Sequence, residues 1–241
     1  MSVTVEIRRA SARFVDRAPG RVTHHSFSFG EHYDPEWVGF GAIVCHDEHS
    51  LGGGRGFPDH AHRDAEIVTW VLDGALEHTH RVGTAEPVSG LLEPGAVQVL
   101  SAGSGLTHSE VAAPGVGITR FVQVWLTPDE PGTPPSYAVA PVVVEPGTWT
   151  LVASGHDPAA PARLGTSAAA FWVARLSAGA TIRLPDDPRQ HAFVARGALI
   201  RASLAEPLSA GDAYLITDRP GLELTAAVPT ELLLWTFAPE G

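Results

Sequence analysis

The stretch Gly54-Arg55-Gly56-Phe57-Pro58-Asp59-His60-Ala61-His62, answered by Gly103-Ser104-Gly105-Leu106-Thr107-His108-Ser109-Glu110, decides the fold of this chain. Each half carries two groups that bind metals, separated by one residue. On a β-strand, residues i and i+2 point to the same face. His60 and His62 therefore point together, and so do His108 and Glu110. Two such strands opposed inside a barrel bring four ligands to one place. Three imidazoles and one carboxylate suit a borderline divalent ion such as iron, nickel, copper, zinc or manganese. A single His-x-His says little in a chain with 12 histidines, and His78-Thr79-His80 is a second one. Two ligand pairs bracketing a strand-patterned segment say more.

That segment runs Glu66-Ile67-Val68-Thr69-Trp70-Val71-Leu72, then Asp73-Gly74, then Ala75-Leu76-Glu77-His78. Asp-Gly between two β-rich runs is a hairpin signal. Pro94-Gly95 then precedes the run Ala96-Val97-Gln98-Val99-Leu100. Strand, hairpin, strand, Pro-Gly turn and strand is the order of a small Greek-key barrel.

These motifs resemble the cupin superfamily and, within it, the pirin family. The signature is Gly56-Phe57-Pro58-Asp59-His60-Ala61-His62-Arg63, then Glu66 to Gly74, Pro94-Gly95-Ala96-Val97-Gln98, and Ser101 to Glu110. Upstream, His25-Ser26-Phe27-Ser28-Phe29, Tyr33-Asp34-Pro35 and Gly39-Phe40 look like the family's opening. The likeness is dense over roughly residues 20–130 and thin afterwards. It implies a mainly β bicupin of two barrel domains, with one metal in the first. Its expected parts are an N-terminal metal-binding domain over 1–130, a Pro-rich crossover over 131–148, and a C-terminal domain without metal over 149–241. By the same resemblance His60, His62, His108 and Glu110 fall on ligand positions, and Fe(II) is the first choice, ahead of Cu, Ni, Mn or Zn. Glu66 is the rival carboxylate, because it follows His62 by four residues as the glutamate ligand of many other cupins does. With Glu110 as ligand, Glu66 becomes structural or orients a ligand imidazole.

The implied reaction is opening of a flavonol such as quercetin by dioxygen, with release of carbon monoxide and with Glu110 as the base that takes the 3-hydroxyl proton. Trp37, Phe40, Phe57 and Trp125 are candidate aromatic walls for such a flat substrate. The alternative implied by the resemblance is a non-catalytic, redox-sensing metal protein that binds a transcription factor or a metabolic enzyme. A metal-dependent isomerase or hydrolase is a third, since fold does not fix function.

Composition sets bounds. With 241 residues the chain is long enough for one large or two small domains. No apolar run approaches the ~20 residues of a membrane helix, and the N-terminus lacks an apolar signal core, so a cytoplasmic protein is expected. Cys45 is the single cysteine, which excludes an internal disulfide and a thiolate cluster within one chain. The net charge of −11 argues against direct nucleic-acid binding. All 16 basic residues are Arg, so Schiff-base and P-loop lysines are excluded.

Along the chain, residues 3–15 read as a loose edge strand. Arg21 to Phe29 reads as a strand with Thr23, His25, Phe27 and Phe29 on one side. Val38 to Cys45 reads as another, and Cys45-His46-Asp47-Glu48-His49 as a polar loop between strands, with a second, looser metal site as the alternative. Arg120 to Leu126 is a clear strand; Phe121, Gln123 and Trp125 share the face that lines a pocket or the barrel core. Residues 127–148, with Pro128, Pro131, Pro134, Pro135, Pro141 and Pro146, suit an extended crossover. The second half echoes the first: Val71-Leu72-Asp73-Gly74-Ala75-Leu76 returns as Val194-Ala195-Arg196-Gly197-Ala198-Leu199, and the Gly95 turn returns at Gly211. Laid on those glycines without gaps, Arg183 and Pro185 replace His60 and His62, while Leu224 and Ala226 replace His108 and Glu110.

Overall fold

Short β-branched runs punctuated by glycine turns fold almost entirely into strands. The computed structural model describes residues 4–200 and 207–239; Val3, the start of the anticipated edge strand, lies outside them. In chain order the strands are β1 (Thr4–Arg8), β2 (Phe14–Ala18), β3 (Arg21–His25), β4 (Ile43–Gly52), β5 (Gly56–His62), β6 (Glu66–Asp73), β7 (Leu76–Arg81), β8 (Val88–Leu92), β9 (Ala96–Ser101) and β10 (Leu106–Ala112). They continue as β11 (Ile118–Leu126), β12 (Ser136–Pro141), β13 (Thr150–Ser154), β14 (Ala162–Arg163), β15 (Ala169–Leu176), β16 (Thr181–Arg183), β17 (Arg189–Arg196), β18 (Ala213–Thr217), β19 (Glu223–Thr225) and β20 (Thr230–Phe237). The only helical turn among the described residues is the three-residue 3-10 segment Ala10–Ala12. No helix among them is long and apolar enough to cross a membrane.

The chain divides into two compact units. One comprises Phe14–Val142 with Ala162–Thr166; the other comprises the residues up to Arg13, Val143–Pro161, and those from Ser167 onward. The N-terminal segment belongs to the second unit because β1 pairs antiparallel with β18 over five residues.

In the first unit, sheet β5-β10-β7-β8 stands with sheet β12-β9-β6-β11-β4-β3-β2. Alternation decides which side chains turn inward. Along β10, Leu106, His108, Glu110 and Ala112 are buried while Thr107, Ser109 and Val111 are not. Leu51, Val71, Leu76, Leu92, Ala112 and Phe121 form one apolar cluster, and Ile67, Leu100, Ala102 and Leu106 another. Two sequence readings change here. Cys45 to His49 lies within β4, with Asp47 and His49 buried, because this polar run pairs with β3 and β11 on both sides. The Pro-rich segment contributes β12, which pairs with β9; it sits at a sheet edge, where the missing N–H of Pro141 is tolerated.

In the second unit the sheet order includes β1-β18-β17-β20-β15-β13, and β16 pairs with β19. The duplication is visible in detail. Gly74 and Gly197 have φ of 77° and 80°, Gly95 and Gly211 φ of 92° and 91°. Thr119 Oγ1 hydrogen-bonds both N–H and C=O of Ala75, and Thr230 Oγ1 does the same with Ala198. A Cβ at either hairpin glycine would run into that threonine, so both positions require glycine. The ungapped alignment misses by one residue on one strand. Ile182 and Leu184, not Arg183 and Pro185, turn inward, and with Leu224 and Ala226 they belong to an apolar core. Arg183 is exposed and pairs with Asp186.

Candidate metal centre

His60 and His62 come from β5 and His108 and Glu110 from β10, whose pairing sets His108 opposite His60. The register slips between His108 and Glu110, which places Glu110 opposite Phe57. Three residues of β5 thus span two of β10, a bulge that turns both Phe57 and His60 toward the same cavity. Gly56 is needed beside it, since a Cβ there would collide with the backbone of Glu110 and Val111.

The imidazoles of His60, His62 and His108 stand 4.4–4.8 Å apart, centroid to centroid. Their nearest ring nitrogens form a group that could hold an ion, with all atoms within 4.8 Å. His60 Nδ1 lies 2.8 Å from the Pro58 carbonyl, an acceptor only, so Nδ1 carries the proton and Nε2 is left with a free lone pair. His62 Nε2 and both nitrogens of His108 are buried without a hydrogen-bond partner. Buried polar atoms of that kind are costly unless something binds them. Borderline nitrogen donors with unspent lone pairs fit a divalent transition metal.

Glu110 is fully buried. Burial alone would raise its pKa. The neighbouring His78 and His108 and the Gln123 amide outweigh this and hold the carboxyl at about 2. Gln123 Nε2 donates to both Glu110 oxygens at 2.9 Å, and Trp125 Nε1 donates to Gln123 Oε1 at 3.0 Å. This chain of donors fixes the carboxylate in place. Trp125 also stands edge-on to His62 at 4.6 Å. Gln123 and Trp125 line a cavity of about 230 Å³ with His60, Glu110, Phe57 and Phe29, while Phe121 on the same face lies in the apolar core. Trp37 and Phe40 are not in that lining. They lie in the connection from β3 to β4, where Trp37 C=O accepts from Ser28 and Phe40 bridges to Ile43.

Glu66 is not beside an imidazole. Its buried carboxylate accepts from Ser101 Oγ, from the N–H groups of Gly165 and Thr166, and from Thr166 Oγ1. It therefore ties β6 to a segment about a hundred residues on. His78 is buried. It forms a second potential ligand group with His108 and Glu110, and stacks on Tyr137 at 4.8 Å. The reason is register: β7 pairs with β10 so that His78 is opposite Glu110.

The opposite wall was missed. Thr23 bonds His49, and His25 bonds Asp47, as cross-strand partners of β3 and β4. All four residues line the cavity. Reading 45–49 as a strand would have exposed the signal. Burial holds the His49 pKa at about 4, against the pull of Asp47 and Glu110. In the second unit, burial together with Arg13 holds His191 at about 3. Both rings are neutral in the fold and take up protons on unfolding once the pH drops below ~6.5. The unfolded chain then binds more protons, so stability falls with falling pH through that window. Urea midpoints are expected to drop steadily from about pH 6.5 to about pH 5, with a slope of up to ~1.4 kcal/mol per pH unit for each ring. Invariant midpoints over that range would contradict the neutral assignment.

A β-barrel that turns three imidazoles and a carboxylate inward from two paired strands defines a cupin with a candidate metal centre. The Pirin family model matches residues 6–126. Proteins named "Putative quercetin 2,3-dioxygenase" match along most of the chain. That of Mycobacterium tuberculosis is 40% identical over 238 residues, covering 98% of this chain and 96% of the relative. That of Pseudomonas aeruginosa is 34% identical over 215 residues, covering 87% and 89%. The crystal structure of the bacterial pirin YhhW from Escherichia coli in complex with nickel(II) superposes with a TM-score of 0.86 at 25% identity, covering 98% of this chain and all of that one. The chain belongs to the pirin family.

Proposed function

We propose that this chain is a metal-dependent dioxygenase acting on a flat hydroxylated aromatic, a flavonol such as quercetin, with release of carbon monoxide. The observation that carries this reading is the set of partnerless buried nitrogens of His62 and His108 beside Glu110, with Glu110 and His60 lining an aromatic-walled cavity. The quercetin dioxygenase name of the relatives supports the reaction class, and the nickel complex of YhhW supports a divalent ion.

His60, His62, His108 and Glu110 would hold the ion, with iron first and Cu, Ni, Mn or Zn compatible with the donors. Bound there, it would supply Lewis acidity and an open position for dioxygen chemistry. The chain's own residues do the rest. Phe57, Phe29 and Trp125 sandwich a planar ring and exclude water. Gln123 keeps Glu110 from swinging away. The metal chemistry is confined to the N-terminal cupin unit; the corresponding inward positions of the other unit are apolar.

The test is anaerobic loading with iron followed by quercetin and oxygen. The expected result is oxygen uptake matched by carbon monoxide release, lost in His60→Ala. Tight metal binding without turnover, across iron, copper, nickel and manganese, would overturn the catalytic reading and favour a redox-sensing binding protein.

A further inference from the structure

The wall facing the metal cluster contains an unbroken chain of acid and imidazole groups that ends in solvent. Asp47 lines the cavity and is 4% exposed. Its Oδ1 is buried with no hydrogen-bond partner. Its Oδ2 lies 2.8 Å from His25 Nδ1. The other nitrogen, His25 Nε2, lies 3.1 Å from Asp16 Oδ2. Asp16 is the outlet, its side chain 60% exposed, and its Oδ1 meets His32 Nε2 at 2.8 Å. Phe29 stacks on His25 at 5.3 Å and holds the ring in line.

Resting on the flavonol reading above, we propose that Asp47, His25 and Asp16 form a proton relay from a ligand hydroxyl in the cavity to water. An imidazole whose two nitrogens both donate to carboxylates can release a proton on one side as the acid on the other side takes one up. Glu110 is less available for the task, because both its oxygens already accept from Gln123. The ligand O–H bond breaks, its electron pair stays on the ligand oxygen, and an O–H bond forms at Asp47 Oδ1. Both nitrogens of His25 face carboxylate oxygens, so each carries a hydrogen at the outset, and Nδ1–H keeps donating to Asp47 Oδ2 throughout. As Asp47 takes up the ligand proton, Nε2 yields its own to Asp16, and Asp16 yields it to water. One proton leaves the ligand and one reaches solvent, with Asp47 left protonated and the ring neutral. Passage of the Asp47 proton to the product, and return of a proton from water through Asp16 to Nε2, restore the start.

The groups that face His25 are Asp16 from β2, Asp47 and His49 from β4, and His32 from the connection after β3. Burial works against charge on His25, but hydrogen bonds and charge from Asp47 and Asp16 outweigh it and raise the pKa. Asp47 is the group that touches the ligand; His25 and Asp16 act through it.

The experiment uses the full chain loaded with zinc, which is redox-inert, and 3-hydroxyflavone as the probe. Stopped-flow absorbance follows the red-shifted band of the ionised flavonol. Wild type is expected to ionise the probe rapidly. His25→Ala and Asp47→Asn should slow the step on the order of a hundredfold, and Asp16→Asn about tenfold. In His25→Ala the rate should rise in proportion to added imidazole, which a merely structural defect would not allow. Asp16 is exposed, so Asp16→Asn keeps the test open if a buried variant fails to fold. Equal rates in wild type and Asp16→Asn, or a slow His25→Ala indifferent to imidazole, overturn the relay alone. Absence of the ionised band in wild type overturns the relay and the flavonol reading together.

Discussion

His108→Ala is expected to purify without metal, whatever the metal in the medium, and to consume no oxygen with quercetin. His108 sits in both potential ligand groups, with His60 and His62 on one side and with His78 and Glu110 on the other. Its loss therefore cannot be covered by a shift of the ion from one group to the other. Residues that only orient a ligand typically cost 10–100-fold in affinity when removed, so deletion of a shared ligand should cost more than about a hundredfold. The metal-free protein tells the two roles of the ring apart. Both His108 nitrogens are buried without partners, so alanine removes an unfavourable pair of polar atoms along with some packing. Metal-free wild type and metal-free His108→Ala should unfold at similar urea midpoints, while only wild type is raised by added metal. A variant that still binds one ion at wild-type affinity would remove His108 from the site.

Glu66→Ala should do the reverse. Its carboxylate accepts from two backbone N–H groups and two hydroxyls, all of them in or beside the barrel wall. Alanine leaves the Gly165 and Thr166 donors without their acceptor. Buried donors orphaned in this way cost about 1–3 kcal/mol each. A net loss of roughly 3 kcal/mol is expected, read as a lower urea midpoint, with metal content unchanged. A stable variant that has lost its metal would make Glu66 a ligand after all.

How much of this was legible in the chain depends on the range of the contact. His60/His62 and His108/Glu110 could be read because a ligand pair at i and i+2 is a local fact of the pleat. The hairpin glycines at Gly74 and Gly197 could be read for the same reason, and their matched φ values follow from it. The inward face of β11, with Gln123 and Trp125, was visible as parity within one strand. What failed was register between strands. The partners of Glu66 lie about a hundred residues away, so its spacing from His62 looked like a ligand signal. His78 became part of the site only through pairing of β7 with β10. Asp47 and His49 were hidden because a run of five polar residues reads as a loop until β3 and β11 are known to flank it. The one-residue slip that puts Ile182 and Leu184 inward in the second unit is of the same kind, since such a shift exchanges the faces of a strand.

The most direct test of the assigned centre is the metal content, by elemental analysis, of Glu110→Ala beside Glu66→Ala, both purified and loaded with iron in parallel with wild type. The geometry predicts one ion per chain for wild type and Glu66→Ala, and a content well below that for Glu110→Ala. A fully loaded Glu110→Ala beside a metal-free Glu66→Ala would contradict the centre described here.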